Sequence, residues 1–248
     1  MRIRAKVDRA PVNGGFPFAA ASLAAASGLE LDDPAPPGEL SSELFAAYDM
    51  EHSAVRKIRA LRATILQAVD QKPRGEALTC ALVGMDCGDE LPGIAGNLAI
   101  VMARLGMRTL LLEADFRAPR LAQLFGVPGD HGLIGYLDDS DEQPAPLATA
   151  VDGLQLLPAG AEQDLSTHHL ERYSILEATR GWPAMTECVI TGLPIGRDQE
   201  AGFLANVFAG FDTAVLLTKQ HRTTYDRVRS VIDVLDSAAI PIAGTVLL

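Results

Sequence analysis

The chain has 248 residues, 48% of them apolar, and a formal net charge of −11 from 32 acidic and 21 basic side chains. Length and apolar share suffice for a large domain with a buried core, while the acidic balance argues against a nucleic-acid binder, which needs clustered Lys and Arg to displace counterions from phosphates. Cys80, Cys87 and Cys188 are odd in number and lack paired or metal-ligand spacing, so they read as buried or loop thiols in a reducing compartment.

In chain order, Arg2, Arg4, Lys6 and Arg9 precede a weakly apolar stretch, Phe16 to Leu29, that crudely resembles a secretory signal. Its alanine and serine content and the interruptions at Asp8 and Pro17 argue against that reading, and it falls short of the roughly 20 strongly apolar residues of a membrane span. With Pro34, Pro36, Pro37 and Gly38 behind it, the segment 1–45 is expected to be a flexible Ala/Pro-rich leader, and 46–248 the folded domain.

Val55, Ile58, Leu61, Ile65 and Val69 recur at helical spacing between Ser53 and Asp70, with Arg56, Arg59 and Arg62 on another face. A solvated charged face and a partner surface are both open for that basic stripe. Beyond it, the runs Thr79 to Gly84, Thr109 to Glu113, Leu154 to Leu157, Cys188 to Thr191, Thr213 to Thr218 and Ile242 to Leu247 read as strands. Helical patterns alternate with them at Ile94 to Leu105, Arg197 to Phe208 and Thr223 to Asp236. This alternation predicts a doubly wound α/β domain, a mostly parallel sheet with helices on both faces, with ligands at the carboxyl ends of the strands. His168 and His169 lack a third metal ligand at helical spacing, and no Gly-x-Ser-x-Gly follows a strand, so neither a zinc site nor a serine hydrolase is expected.

The motifs around the first two strands are more specific. Gly93-Ile94-Ala95-Gly96-Asn97-Leu98-Ala99, Leu110-Leu111-Leu112-Glu113-Ala114-Asp115-Phe116-Arg117-Ala118-Pro119-Arg120, Leu124-Phe125-Gly126, Leu154-Gln155-Leu156-Leu157-Pro158-Ala159-Gly160 and Gly244-Thr245-Val246-Leu247 follow one another in a fixed order. Over roughly 55–248 they resemble the bacterial tyrosine autokinase domains of polysaccharide co-polymerases, which implies a P-loop NTPase-like fold.

Within that resemblance, the phosphate loop is replaced by Gly88-Asp89-Glu90-Leu91-Pro92-Gly93. Leu91 stands where a lysine would meet the β- and γ-phosphates, Pro92 where a hydroxyl would hold Mg²⁺, and Glu90 where a glycine would let the backbone approach. Asp89 and Glu90 add negative charge, which at about 4 Å and an effective dielectric near 20 repels another unit charge by roughly 4 kcal/mol. On the metal side Asp115 matches the family, Glu113 replaces an aspartate, and Gly192 stands where a carboxylate would follow the fourth strand. A family helix pattern Glu-x-x-Arg-x-x-Arg, which pairs neighbours in rings, becomes Arg56, Arg59 and Arg62, and the family's tyrosine-rich tail is not found before Leu248.

The resemblance and its departures together imply a non-catalytic pseudo-kinase with no cofactor, in the cytoplasm at the inner face of the membrane. Its partner would be a membrane-embedded polysaccharide co-polymerase acting in trans, in exopolysaccharide, capsule or adhesin synthesis and export. A homo-oligomeric ring is disfavoured by the reversed charge. Arg56, Arg59 and Arg62 are the first candidate partner surface, and the loop Gly88 to Pro92 the second. The alternative is a working nucleotide switch or kinase, similar to the partition and septum-positioning ATPases, with unconventional phosphate contacts from Asp115 and Arg117.

Overall fold

A computed structural model describes residues 38–70, 72, 75–137, 145–160, 174–178, 186–196 and 201–248. The leader before residue 38, the His168–His169 pair and the first residues of the helix expected from Arg197 lie outside the described residues.

The described elements are α1 (Phe45–Tyr48), α2 (Ser53–Ala68), β1 (Leu78–Met85), α3 (Leu91–Ala103), β2 (Thr109–Glu113), α4 (Leu121–Phe125), α5 (Leu133–Leu137), β3 (Leu147–Ala148), β4 (Leu154–Leu157), α6 (Ile175–Ala178), β5 (Cys188–Ile195), α7 (Ala201–Phe208), β6 (Thr213–Thr218), α8 (Tyr225–Ser237) and β7 (Ile242–Leu247). The strands form one sheet in the order β3-β4-β2-β5-β1-β6-β7, parallel except for the β3–β4 pair. The inner strands are buried on both faces, which is why they read as continuous apolar runs rather than as alternation.

Successive β1 residues serve opposite faces: Cys80 and Leu82 join the core under α2, α3 and α4, while Ala81, Val83 and Met85 join the core under α5, α7 and α8. The doubly wound expectation therefore holds. All three cysteines are buried, and burial pushes the Cys188 thiol up to about 12.

Strand β5 runs four residues past its expected end at Thr191, through Gly192 and Pro194. Gly192 turns its carbonyl toward β2, accepting from Ala114 N at 3.2 Å. Pro194, two residues on, faces the same side where β2 has already ended, so its missing N–H leaves no ladder partner unpaired. Gly192 thus lies inside a strand, not in a loop after it.

Helix α3 starts at Leu91, three residues ahead of the periodic signal, with Pro92 in its first turn, a position where the ring's fixed φ suits the helix. Apart from the partly buried Gly93 and Ile94 it is buried all round, and at Gly96 a side chain would meet Leu44 Cδ2 at 2.6 Å. That close approach belongs to a strap. The packed domain begins near residue 38, earlier than the expected boundary at 46, because residues 38–48 lie across α3 and α4. Gly38 N donates to Gly126 O (2.8 Å), Ser41 N to Leu124 O (2.8 Å), and Leu44 and Ala46 are fully buried. Asn97, fully buried on α3, holds the strap by accepting from Ala46 N (2.8 Å) and donating to Glu43 O (2.9 Å).

Candidate functional site

Connections part around β1: the chain leaves it through α3 for β2 on one side, while the β5-α7-β6 connection passes to its other side. In open α/β sheets the crevice at such a point, beyond the carboxyl ends of the strands, is the ligand site. At that point lies the segment Asp86–Glu90, which joins β1 to α3.

The segment is wound into a helical turn continuous with α3. Glu90 N and Leu91 N both donate to Cys87 O, at 3.2 and 3.0 Å, and Glu90 has helical dihedrals (φ −89°, ψ −25°). Two of the amides that an open anion cradle would aim outward are therefore already bonded within the turn. Leu91 is buried and its side chain lies between two strands: a Cβ at Gly84 of β1 would stand 3.0 Å from Leu91 Cδ2, and one at Gly192 of β5 3.7 Å from Leu91 Cγ. Leu91 and Gly192, far apart in the chain, are thus in one apolar contact. Pro92 is buried as well, so of the segment Gly88 to Pro92 only Gly88 and Asp89 are exposed and Glu90 partly so. As a partner surface that loop is smaller than expected.

Three cations from three elements close over the turn. Lys219, at the end of β6, pairs with Glu90 Oε1. Arg227 of α8 places Nε 3.5 Å from Asp86 Oδ2 and donates through Nη2 to Ile195 O at 2.5 Å. Arg120 donates through Nη1 to Asp89 O and through Nη2 to Glu43 Oε1, both at 3.0 Å, tying loop and strap together. The Lys219 hydrogen bond holds the Glu90 carboxyl below its usual range, against the effect of its own desolvation. Asp86 itself sits at φ +58°, in the left-handed region that Asp tolerates better than most residues.

Glu113 makes its contacts with the protein's own backbone. Only 2% exposed, it accepts through Oε1 from Arg120 N (2.5 Å) and Leu121 N (2.6 Å) at the start of α4, and through Oε2 from Ala159 N (3.3 Å). Burial pushes its carboxyl above the usual range, and these three amide donors and the nearby Asp115 charge modify the shift. Asp115 is partly buried and turns its own loop, accepting from Arg117 N (3.2 Å) and Ala118 N (3.0 Å). Among the described residues, no group of three or more His, Cys, Asp or Glu side chains is placed to hold a metal ion.

Arg56, Arg59 and Arg62 lie apart from this loop on α2, whose Val55, Ile58 and Ile65 face the core. Arg56 is exposed, Arg59 and Arg62 partly so, and among the described residues none of the three has an ion-pair partner. Sequence reasoning did not identify Lys219, Arg227 or Arg120 as loop partners. The legible signal was position: Lys219 follows a six-residue apolar strand directly, which puts its charge at the carboxyl edge of the sheet.

No family model matches the chain. It is 28% identical over 206 residues, 82% of its length, to EpsB of Ralstonia nicotianae, by name a tyrosine-protein kinase, and spans about a quarter (26%) of that protein. Among solved structures, the kinase domain of the Escherichia coli tyrosine kinase ETK superposes with a TM-score of 0.69 at 23% identity, covering 82% of this chain and 78% of that one. The BceF tyrosine kinase domain gives 0.64 at 23% identity, covering 91% and 86%. The septum site-determining protein MinD of Pyrococcus horikoshii, solved with Mg-ADP, gives 0.54 at 18% identity, covering 69% and 70%. Sequence similarity over four-fifths of the chain and the shared P-loop NTPase-like α/β fold make this a domain like those of the bacterial tyrosine kinases.

Proposed function

We propose that this domain is a non-catalytic, pseudo-kinase relative of the bacterial tyrosine autokinases. It acts in the cytoplasm as a partner or regulator of a membrane-embedded polysaccharide co-polymerase in the synthesis and export of an exopolysaccharide, capsule or adhesin. The observation that carries the reading is the closed turn at the end of β1: the Glu90 and Leu91 amides bond to Cys87 O, and Leu91 lies against Gly84 and Gly192. These residues do not suit Mg²⁺-ATP. An apolar side chain replaces the ammonium, a proline the hydroxyl and a glycine the carboxylate on which phosphoryl transfer in this fold relies. No helix among the described residues is long and apolar enough to cross a membrane.

Titration calorimetry of the protein with Mg²⁺-ATP and Mg²⁺-ADP tests the reading. No saturable heat at millimolar nucleotide is expected, whereas a Kd below about 10 µM, some 7 kcal/mol of binding, would establish the rival nucleotide switch. The partner surface is assigned to Arg56, Arg59 and Arg62, three cations without ion-pair partners among the described residues of an acidic chain. Their complement would be an acidic cytosolic segment of the co-polymerase.

A further inference from the structure

The turn that carries Lys219 is built independently of the side chain Lys219 meets. Lys219 N donates to Thr223 Oγ1 (2.9 Å), Arg222 N and Thr223 N donate to Lys219 O (3.1 and 3.0 Å), and Thr223 Oγ1 donates to Met85 O at the end of β1 (3.1 Å). Gln220 N closes the turn on Leu248 O (2.8 Å). The Thr223 hydroxyl bonded to β1 and the backbone bond to Leu248 thus set the lysine at the carboxyl edge of the sheet.

Its partner is less well satisfied. Glu90 Oε1 takes the ammonium, while Glu90 Oε2 is shut away from solvent and accepts no hydrogen bond. A carboxylate with one oxygen stranded holds its place less firmly than one with both oxygens bonded. Arg222, exposed on the same turn, adds its positive field at Glu90.

From this arrangement we infer that Lys219, with Arg222 beside it, forms a preorganised oxyanion site whose present occupant is the chain's own Glu90 carboxylate, and that the exchangeable ligand is a small free phosphate anion such as pyrophosphate. A diphosphate brings more charge than a carboxylate and enough oxygens to engage both cations, whereas a simple carboxylate only reproduces what Glu90 already provides. The site lies on the β6–α8 turn, and Glu90 acts as its internal plug. This deepens the reading of the β1–α3 loop as closed to nucleotide, on which it rests.

Metal-free pyrophosphate, with acetate as control, is titrated calorimetrically into the wild-type protein, Glu90→Gln, Glu90→Ala and the double variant Glu90→Gln/Lys219→Gln. Cooperative thermal melting establishes that each is folded. The expected result is pyrophosphate binding at least about tenfold tighter in both Glu90 variants than in the wild type, lost again in the double variant, with no response to acetate. Equal affinity in the wild type and whichever Glu90 variant folds, or undiminished binding in the double variant, overturns the inference. The reading of the domain as non-catalytic is tested separately, by Mg²⁺-nucleotide on the wild-type chain.

Discussion

Thr191 is fully buried on β5, and its hydroxyl finds no hydrogen-bond partner among the described residues. An unsatisfied buried hydroxyl costs about 1–3 kcal/mol, so Thr191→Val, which keeps the shape and removes the polar atom, is expected to raise unfolding stability by about 1 kcal/mol in a urea melt. Leu91 poses the opposite case. Leu91→Lys restores the family residue, but its stem enters the apolar contact between Gly84 and Gly192 and no carboxylate waits at Gly192. The expected outcome is a loss of about 2–4 kcal/mol in the same measurement with no gain of Mg²⁺-ATP binding. Glu113 adds a pH dependence. Burial raises its folded-state pKa above the unfolded value, so between the two the native state binds more protons and stability falls as pH rises. Wild-type melting temperature relative to Glu113→Gln should therefore increase as pH drops from neutral toward the carboxylate range. A difference that stays flat with pH would contradict the assignment. Glu90 has the opposite sign: its lowered pKa makes a contribution that is full above the usual carboxylate range and lost as pH falls through the folded value.

At the scale of elements, periodicity located the strands well wherever a local pattern was sufficient. Thr109–Glu113, Leu154–Leu157 and Thr213–Thr218 lie where the apolar runs put them, because strands buried on two faces must be apolar nearly throughout, and the partly exposed edge strand Ile242–Leu247 also lies where its run put it. β5 was cut short because Gly192 and Pro194 are local strand breakers, and only the early end of β2 makes the proline harmless. β3 was missed: two residues on an antiparallel edge carry no period. The strap was also misread. The prolines just ahead of it and its own small residues read as a leader, yet Leu44 is fully buried and Asn97 grips the backbone on both sides. Asn97→Ala strands Ala46 N in the interior and takes the partner from the part-buried Glu43 O. A loss of about 2–4 kcal/mol is expected, together with faster proteolysis within 38–48, checked by urea melts and by mapping the first cleavage sites.

For the whole molecule, the decisive tests concern what it binds. A ligand at 100 times its Kd would stabilise the fold by about 2.7 kcal/mol, several degrees in melting temperature, so millimolar Mg²⁺-ATP is expected to leave the wild-type melt unchanged. Reversing Arg56, Arg59 and Arg62 to glutamate should abolish co-precipitation with an acidic co-polymerase segment while leaving the melt intact. Retention of the complex would move the partner surface elsewhere. By itself the sequence determined the doubly wound class, most strand positions, the kinase-like resemblance and the identities of the residues at the end of β1. All of these are carried by local period, local composition and motif order along the chain. Only the tertiary structure decided what those residues do. Glu90 meets Lys219, Leu91 meets Gly192, Glu113 caps α4, and Asn97 binds a strap 51 residues away. Such partners are set by which strands become neighbours. Strand order depends on the packing of both sheet faces together, and that is not written in any single segment's pattern.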